Sequence, residues 1–308
     1  MASRCDRCSK RSLIFLRYSG QHLCGDHFLD LIRKRVKKEI RQQGLLKGSK
    51  RIGVAVSGGK DSIVLLSLLH EMIDTVKGAE LISITIDEGI DGYRRSSLDI
   101  ATSVTRTLGV ESFVRSFGDL FNMDLDTMVA RSDRGPCTIC GILRRKALNI
   151  SCLELGCENL ATGHNLDDMA QTILMNVMSA DLQRLARLGP HLKPVTGFIP
   201  RVFPLRSTPE TETHLTAYLM DLPIHDLECP YALTAKRGSF RDLLMKAEGE
   251  TPGTRHSLLR FHERLSPYLP REELAPSKCT ICGDVVYGGA GMEPCKACAL
   301  LQELGAIK

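Results

Sequence analysis

The chain has 308 residues, of which 43% are hydrophobic and 25% charged, and its formal net charge is +5. These ordinary fractions exclude a disordered or fibrous chain, and no apolar run is long enough to span a bilayer. Twelve cysteines behind a polar N-terminus with no signal-peptide pattern point to the cytoplasm, with thiols as metal ligands or chemical groups rather than disulfides.

The chain opens with Cys5-x-x-Cys8, fifteen residues, then Cys24-x-x-His27. Two knuckles at this spacing bring three thiolates and an imidazole together as a closed, structural zinc site. Leu29, Ile32, Val36 and Ile40 then recur as one helical stripe, with Arg33, Lys34, Arg35, Lys37, Lys38 and Arg41 around it. From Phe28 to Arg51 there are nine Lys or Arg against two Asp or Glu, a surplus larger than that of the whole chain. Most charged helix faces are simply solvated, but one so unbalanced suits a polyanion. Gly44 and Gly48 close this helix.

Ile52 to Val56 reads as a buried strand, and Ser62 to Ile73 as a helix with apolar residues on its inner face. Between them lies Ser57-Gly58-Gly59-Lys60-Asp61-Ser62. Glycines let the backbone approach a ligand, and the helix start offers N–H groups at the positive end of a dipole, so the turn is an anion cradle. Asp61 after Lys60 rules out the common P-loop, and the dinucleotide fingerprint is absent. Ser-Gly-Gly-x-Asp-Ser after a first strand resembles the PP-loop of the ATP pyrophosphatases, which cleave ATP between its α and β phosphates.

Strand and helix patterns continue to alternate. Leu81 to Ile86 reads as a strand ending in Asp87-Glu88-Gly89, Ser96 to Leu108 as a helix, and Val110 to Ser116 and Cys157 to Thr162 as further strands. Gly163-His164-Asn165 leads into a helix beginning near Asp167-Asp168. Such alternation predicts an α/β fold with a doubly wound parallel sheet, whose ligands gather beyond the carboxyl ends of the strands. Acidic residues in a first helical turn need no other role than answering the dipole. Thr162-Gly163-His164-Asn165-x-x-Asp168, however, resembles the second ATP motif of PP-loop tRNA-thiolating enzymes. From Leu182 to Arg206 the chain reads as loops, with prolines 190, 194, 200 and 204, and with Arg184, Arg187, Arg201 and Arg206 as candidate RNA contacts. Ser239 to Leu265 reads as one or two exposed helices, and Cys279-x-x-Cys282 followed by Cys295-x-x-Cys298 as a second structural zinc site.

Five cysteines remain. Cys152 and Cys157 lie among apolar residues and are assigned to packing. Cys137-x-x-Cys140 opens a helix over residues 141–150, and Cys229 stands before Pro230 in a loop. Three thiols are one short of a structural zinc site, so they suggest an open metal site or sulfur redox chemistry.

The order zinc knuckle, Ser-Gly-Gly-Lys-Asp-Ser, Cys-x-x-Cys, Gly-His-Asn-x-x-Asp, lone cysteine and second ribbon resembles the TtcA/TtuA family of tRNA 2-thiouridine synthetases, in its zinc-ribbon branch. The resemblance implies an adenine nucleotide α-hydrolase-like sheet flanked by two zinc ribbons. It implies an ATP site at Ala55, Val56, Ser57, Gly58, Gly59, Lys60, Asp61, Ser62, Ile86, Gly163 and Asp168, with Asp168 helping to hold Mg2+ or to orient the phosphates. It makes Lys60, Asp61, Asp168, Cys137, Cys140 and Cys229 catalytic, the three cysteines holding a 4Fe-4S cluster or carrying a persulfide. The implied partners are tRNA and, as sulfur donor, a ubiquitin-like carrier protein or free sulfide; there is room for a homodimer, and no membrane or DNA partner is expected. The expected division is a zinc finger over 1–30, a basic linker over 31–50, the catalytic domain over 51–235, a helical connector over 236–274 and a ribbon over 275–308. The expected activity is 2-thiolation of a tRNA uridine at the wobble position. T-loop thiolation and another PP-loop tRNA-modifying or amide-forming reaction are the alternatives, and an RNA-binding zinc protein would leave the ATP motif idle.

Overall fold

The computed structural model describes residues 3–46, 48–73, 78–189, 197–232, 237–269, 277–286 and 293–307. A small hairpin, β1 (Ile14–Leu16) and β2 (Gln21–Leu23), leads into helix α1 (Gly25–Gln42), which buries Phe28, Ile32, Val36 and Ile40. The central unit then runs β3 (Arg51–Ala55), α2 (Lys60–Ile73), β4 (Glu80–Asp87), α3 (Arg94–Thr107) and β5 (Glu111–Ser116). Two short helices, α4 (Phe117–Phe121) and α5 (Leu125–Ala130), precede α6 (Pro136–Glu154). The unit continues with β6 (Asn159–Ala161), α7 (Leu166–Met178), α8 (Leu182–Ala186), β7 (Arg201–Val202) and α9 (Glu210–Leu219). Helices α10 (Arg237–Glu250) and α11 (Thr254–Leu265), strands β8 (Ser277–Lys278) and β9 (Val285–Val286), and α12 (Lys296–Glu303) complete it.

Among the described residues the main sheet is wholly parallel, in the order β5-β4-β3-β6-β7. The chain winds from β3 toward β5 on one side and toward β7 on the other, so the switch point lies between β3 and β6. Both faces are covered. One core joins α1, α2 and α3 to the sheet through Ile32, Leu65, Leu68 and Val104, and the other joins α4, α5, α6 and α12 through Phe117, Met128, Leu143 and Leu301. Burial on both faces shows in β4, where Ile82, Ile84 and Ile86 are buried on one face and Leu81, Ser83 and Thr85 on the other.

The expected strands and helices are present with ends moved by one to three residues. Helix α6 is the larger difference: it begins at Pro136, whose fixed φ suits a first helical position, and puts Cys137 in its first turn and Cys140 at the start of the second. The stretch from Leu182 to Arg206 is not all loop, since it contributes α8 and the edge strand β7; prolines 190 and 194 lie outside the described residues. Nor are the two later helices merely exposed. Helix α11 lies on α7 and α8, burying Leu259 and His262.

Candidate active site

The phosphate-loop sequence folds into a turn tied by its own serines. Ser62 Oγ donates to the Gly59 carbonyl at 2.8 Å and accepts from the Ser57 amide at 3.1 Å, while the Gly59 amide donates to Ser57 Oγ at 3.4 Å. Gly58 has φ +91°, and a Cβ there would come within 2.2 Å of the Ser97 carbonyl oxygen, so only glycine fits. Gly163 closes the other side: a Cβ would meet the Asp61 and Ser62 backbone at 3.0–3.1 Å. The two nucleotide-motif segments are therefore in contact.

Asn165 and Asp168 form a capping box at the start of α7, which accounts locally for both residues. Asn165 Nδ2 also donates to Asp61 Oδ1 at 3.1 Å, joining that cap to the phosphate loop. Lys60 Nζ lies 2.7 Å from Glu210 and 3.3 Å from Asp61. Burial works against the Lys60 charge, but the Asp61 carboxylate and then Glu210 outweigh it and raise the pKa, so the cation persists at neutral pH. Glu210 is held in turn at the start of α9, where its amide donates to Asp167 at 2.7 Å.

A cleft of about 300 Å³ opens at this edge, lined by Ser57, Asp61, Gly163 and Asp168 on one side and by Arg144 and Leu148 of α6 on the other. Ala55, Val56, Ser62 and Ile86 also line it. Helix α6 thus carries its cysteine turn to the lip of the nucleotide cleft. Glu88, 2% exposed, accepts from Arg144 at 2.6 Å and from Arg94 at 2.8 Å. Arg94 goes on to donate to the Ser57 carbonyl at 2.9 Å, and Arg144 donates to Cys140 Sγ at 3.2 Å. One chain of charged side chains therefore links the phosphate loop to a cysteine sulfur.

Cys137 is exposed, and Cys140 and Cys229 are partly buried. Burial pushes the Cys140 thiol up to about 11; Arg144 opposes this and Glu88 adds to it, and Cys137 Sγ lies 3.8 Å from the Tyr231 carbonyl, two residues on from Cys229. The Cys229 loop is fastened at both ends. His225 donates its amide to the Gly58 carbonyl at 2.9 Å, and Tyr231 donates its hydroxyl to Asp126 at 2.7 Å. These three thiols are not gathered as tightly as ligands of a single ion, and a four-iron cube holds its thiolates further apart than one ion does. Three thiols close to the cleft wall formed by α6, with a guanidinium on one sulfur, fit such a cluster with one iron left open.

Among the described residues, two groups do have all four ligand atoms within 4.8 Å: Cys5, Cys8, Cys24 and His27, and Cys279, Cys282, Cys295 and Cys298. Amide donors to sulfur prepare both for thiolates. Burial alone would raise Cys5 and Cys279, but N–H groups such as those of Arg7 at 3.5 Å and Cys295 at 3.1 Å bring each down to about 6. Both sets suit tetrahedral zinc. Cys152 and Cys157, by contrast, are buried behind β3 against Gly53, as packing requires.

Residues 30–197 match the PP-loop domain family, and residues 4–29 match the N-terminal LIM domain of the 2-thiouridine synthetase TtuA. The tRNA 2-thiolation protein NcsA of Haloferax volcanii is 36% identical, covering 98% of this chain and 99% of that one. The cytoplasmic tRNA 2-thiolation protein 1 of Bos taurus is also 36% identical, over 98% of this chain and 88% of its own. The solved U34-tRNA thiolase NcsA of Methanococcus maripaludis, with its [4Fe-4S] cluster, superposes with a TM-score of 0.87 at 34% identity, covering 99% of this chain and 97% of that one. The chain belongs to the PP-loop family of tRNA 2-thiolation proteins.

Within this family fold, the basic helix α1 divides its charges. Arg33 pairs with Glu71 at 2.7 Å, and Arg35 pairs with Glu212 at 2.7 Å and with the Tyr18 hydroxyl at 2.8 Å. These two hold helices together, whereas Lys34, Lys37, Lys38 and Arg41 are exposed. Arg206, expected at an RNA surface, is instead buried against Glu39 at 2.6 Å. Sequence reading missed Glu88, Arg94 and Glu210. Arg144 alone had a signal, its position one helical turn after Cys140.

Proposed function

We propose that this protein is an ATP-dependent tRNA uridine 2-sulfurtransferase acting at the wobble uridine. The observation that carries the reading is the shared cleft: phosphate-loop and second-motif residues form one wall, and the helix bearing Cys137 and Cys140 forms the other. A different PP-loop enzyme would have no use for three thiols there. The wobble position is supported by likeness to the U34-tRNA thiolase.

In this reading the loop from Ser57 to Ser62 and the start of α2 hold the ATP phosphates, with Lys60 offsetting their charge. Asp61 and Asp168, held near each other by Asn165, are the carboxylates suited to Mg2+. Uridine O2 attacks the α-phosphorus and pyrophosphate leaves. This turns a poor leaving oxygen into AMP. A sulfur nucleophile then attacks C2, and AMP departs with the original oxygen. The cluster held by Cys137, Cys140 and Cys229 would supply a binding place for sulfide; Arg144 sets the charge beside Cys140 and spans the gap toward the nucleotide. The donor is free sulfide or a ubiquitin-like carrier, the setting is the cytoplasm, and a homodimer is compatible with this scheme. The two terminal sites hold zinc and brace the modules that meet tRNA. Mass spectrometry of tRNA nucleosides from cells lacking the gene tests this: 2-thiouridine should vanish from anticodon fragments, and its survival there would reject the assignment.

A further inference from the structure

Three consecutive cations of α6 point to three different places. Arg144 is taken by Glu88 and Cys140, and Lys146 by Asp284 at 2.6 Å and Cys282 at 3.2 Å. Arg145, between them, has no ion pair among the described residues. Its guanidinium lies beside Gly141, one turn back toward the cysteines, where a Cβ would sit 3.5 Å from Nη1. Arg201 at the start of β7 donates to the Arg145 backbone carbonyl at 2.9 Å and likewise has no carboxylate partner among the described residues. The other cations around the cleft are matched: Arg94 by Glu88, Lys60 by Glu210, Arg237 by Asp168 and Arg255 by Asp167.

We propose that Arg145 and Arg201 form a subsite for a phosphodiester of the RNA backbone beside the nucleotide presented to the cleft. The inference rests on the thiolation reading and adds to it a contact that positions the substrate. Arg201 bonds the Arg145 backbone, so two cations without a carboxylate partner among the described residues stand on adjoining segments, which is costly. Burial, then Arg144 and Arg184, lower the Arg145 pKa, and burial with Arg145 brings Arg201 to about 10. The same field reaches His164, whose pKa is lowered by burial first and then by Arg237, Arg201 and Arg145, against the pull of Asp168. An arriving phosphate removes the repulsion, and guanidinium forks fit its paired oxygens. Such contacts set register without reading sequence, as required to bring one nucleotide between the two walls.

ATP offers the same phosphate chemistry, so the test separates the two sources. Full-length protein, prepared anaerobically, is compared as wild type, Arg145→Ala, Arg145→Lys and Arg201→Ala. Affinity for an unmodified tRNA transcript is measured across a salt series, and ATP affinity by equilibrium dialysis. Arg145→Ala should bind tRNA about tenfold more weakly, with a salt slope shallower by about 1, while Arg145→Lys recovers part of the loss. Arg201→Ala should behave like Arg145→Ala, and ATP affinity and visible absorption should stay at wild type. Wild-type tRNA affinity and slope in Arg145→Ala would overturn the subsite alone. A parallel loss of ATP affinity would overturn it in favour of the nucleotide. Wild-type protein that holds no tRNA would overturn the thiolation reading together with the subsite.

Discussion

Glu88 shows how much of the site rests on single side chains that no motif announces. In the sequence it is the middle of Asp87-Glu88-Gly89, a strand ending with nothing to mark it as a hub. Its partners, Arg94 and Arg144, lie on two different helices, so only the fold brings the three together. Glu88→Gln would leave Arg94, 7% exposed, without a full counter-charge, at a cost on the order of 3 kcal/mol. A lowered denaturant midpoint with unchanged zinc content is expected. The same variant should slow thiolation, because Arg144 loses the anchor that aims it at Cys140. The glycines, by contrast, were legible: position 58 tolerates no side chain and position 163 only with a shift of the neighbouring backbone, and the turn chemistry announced both.

At the scale of elements, legibility followed burial. Helix α2 and strand β4 are buried on nearly every side chain, so their apolar runs stood out. Helix α9 was missed because Glu-Thr-Glu-Thr-His offers no apolar stripe; its Thr213 and Thr216 are buried through hydrogen bonds to their own helix. Strand β7 was missed because two residues carry no period. For α1, replacing Lys34, Lys37 and Lys38 by Ala should weaken tRNA binding and flatten its salt dependence, by about 0.7–0.9 in log–log slope for each phosphate left unneutralised. Arg35→Ala should instead destabilise the fold, since it strands Glu212, 3% exposed, without its cation. Helix α11 carries a pH dependence. Burial, and then Arg35, bring His256 from 6.5 down to about 4. The unfolded chain therefore takes up a proton that the folded chain refuses, and stability should fall as pH drops from about 6.5 toward 4. Thermal melts of His256→Phe across that range should show a shallower decline than wild type.

The whole molecule is a nucleotide-binding sheet with a cysteine-bearing module at each end, and it was the most readable level because cysteine spacing and phosphate-loop sequence are local signals. The connections between modules were not readable. Lys146 reaching Cys282 and Asp284, and Arg134 pairing with Glu303 at 2.6 Å, join α6 and the loop before it to the C-terminal module across more than a hundred residues. Since metal binding contributes directly to folding, Cys279→Ser should lose one zinc and lower the melting temperature, and α6 should loosen with it. Metal analysis beside calorimetry checks this.

The central claim is that two half-reactions share one cleft, with the phosphate loop serving the first and the three cysteines only the second. The most direct measurement compares Cys229→Ala and Lys60→Ala, both prepared anaerobically, for ATP affinity and for thiouridine formed with ATP, Mg2+ and sulfide. Cys229→Ala should bind ATP with near-normal affinity and form no thiouridine; Lys60→Ala should lose ATP binding or adenylation while keeping its visible absorption. Thiolation surviving in Cys229→Ala would contradict the account and leave a plain adenylating enzyme in its place.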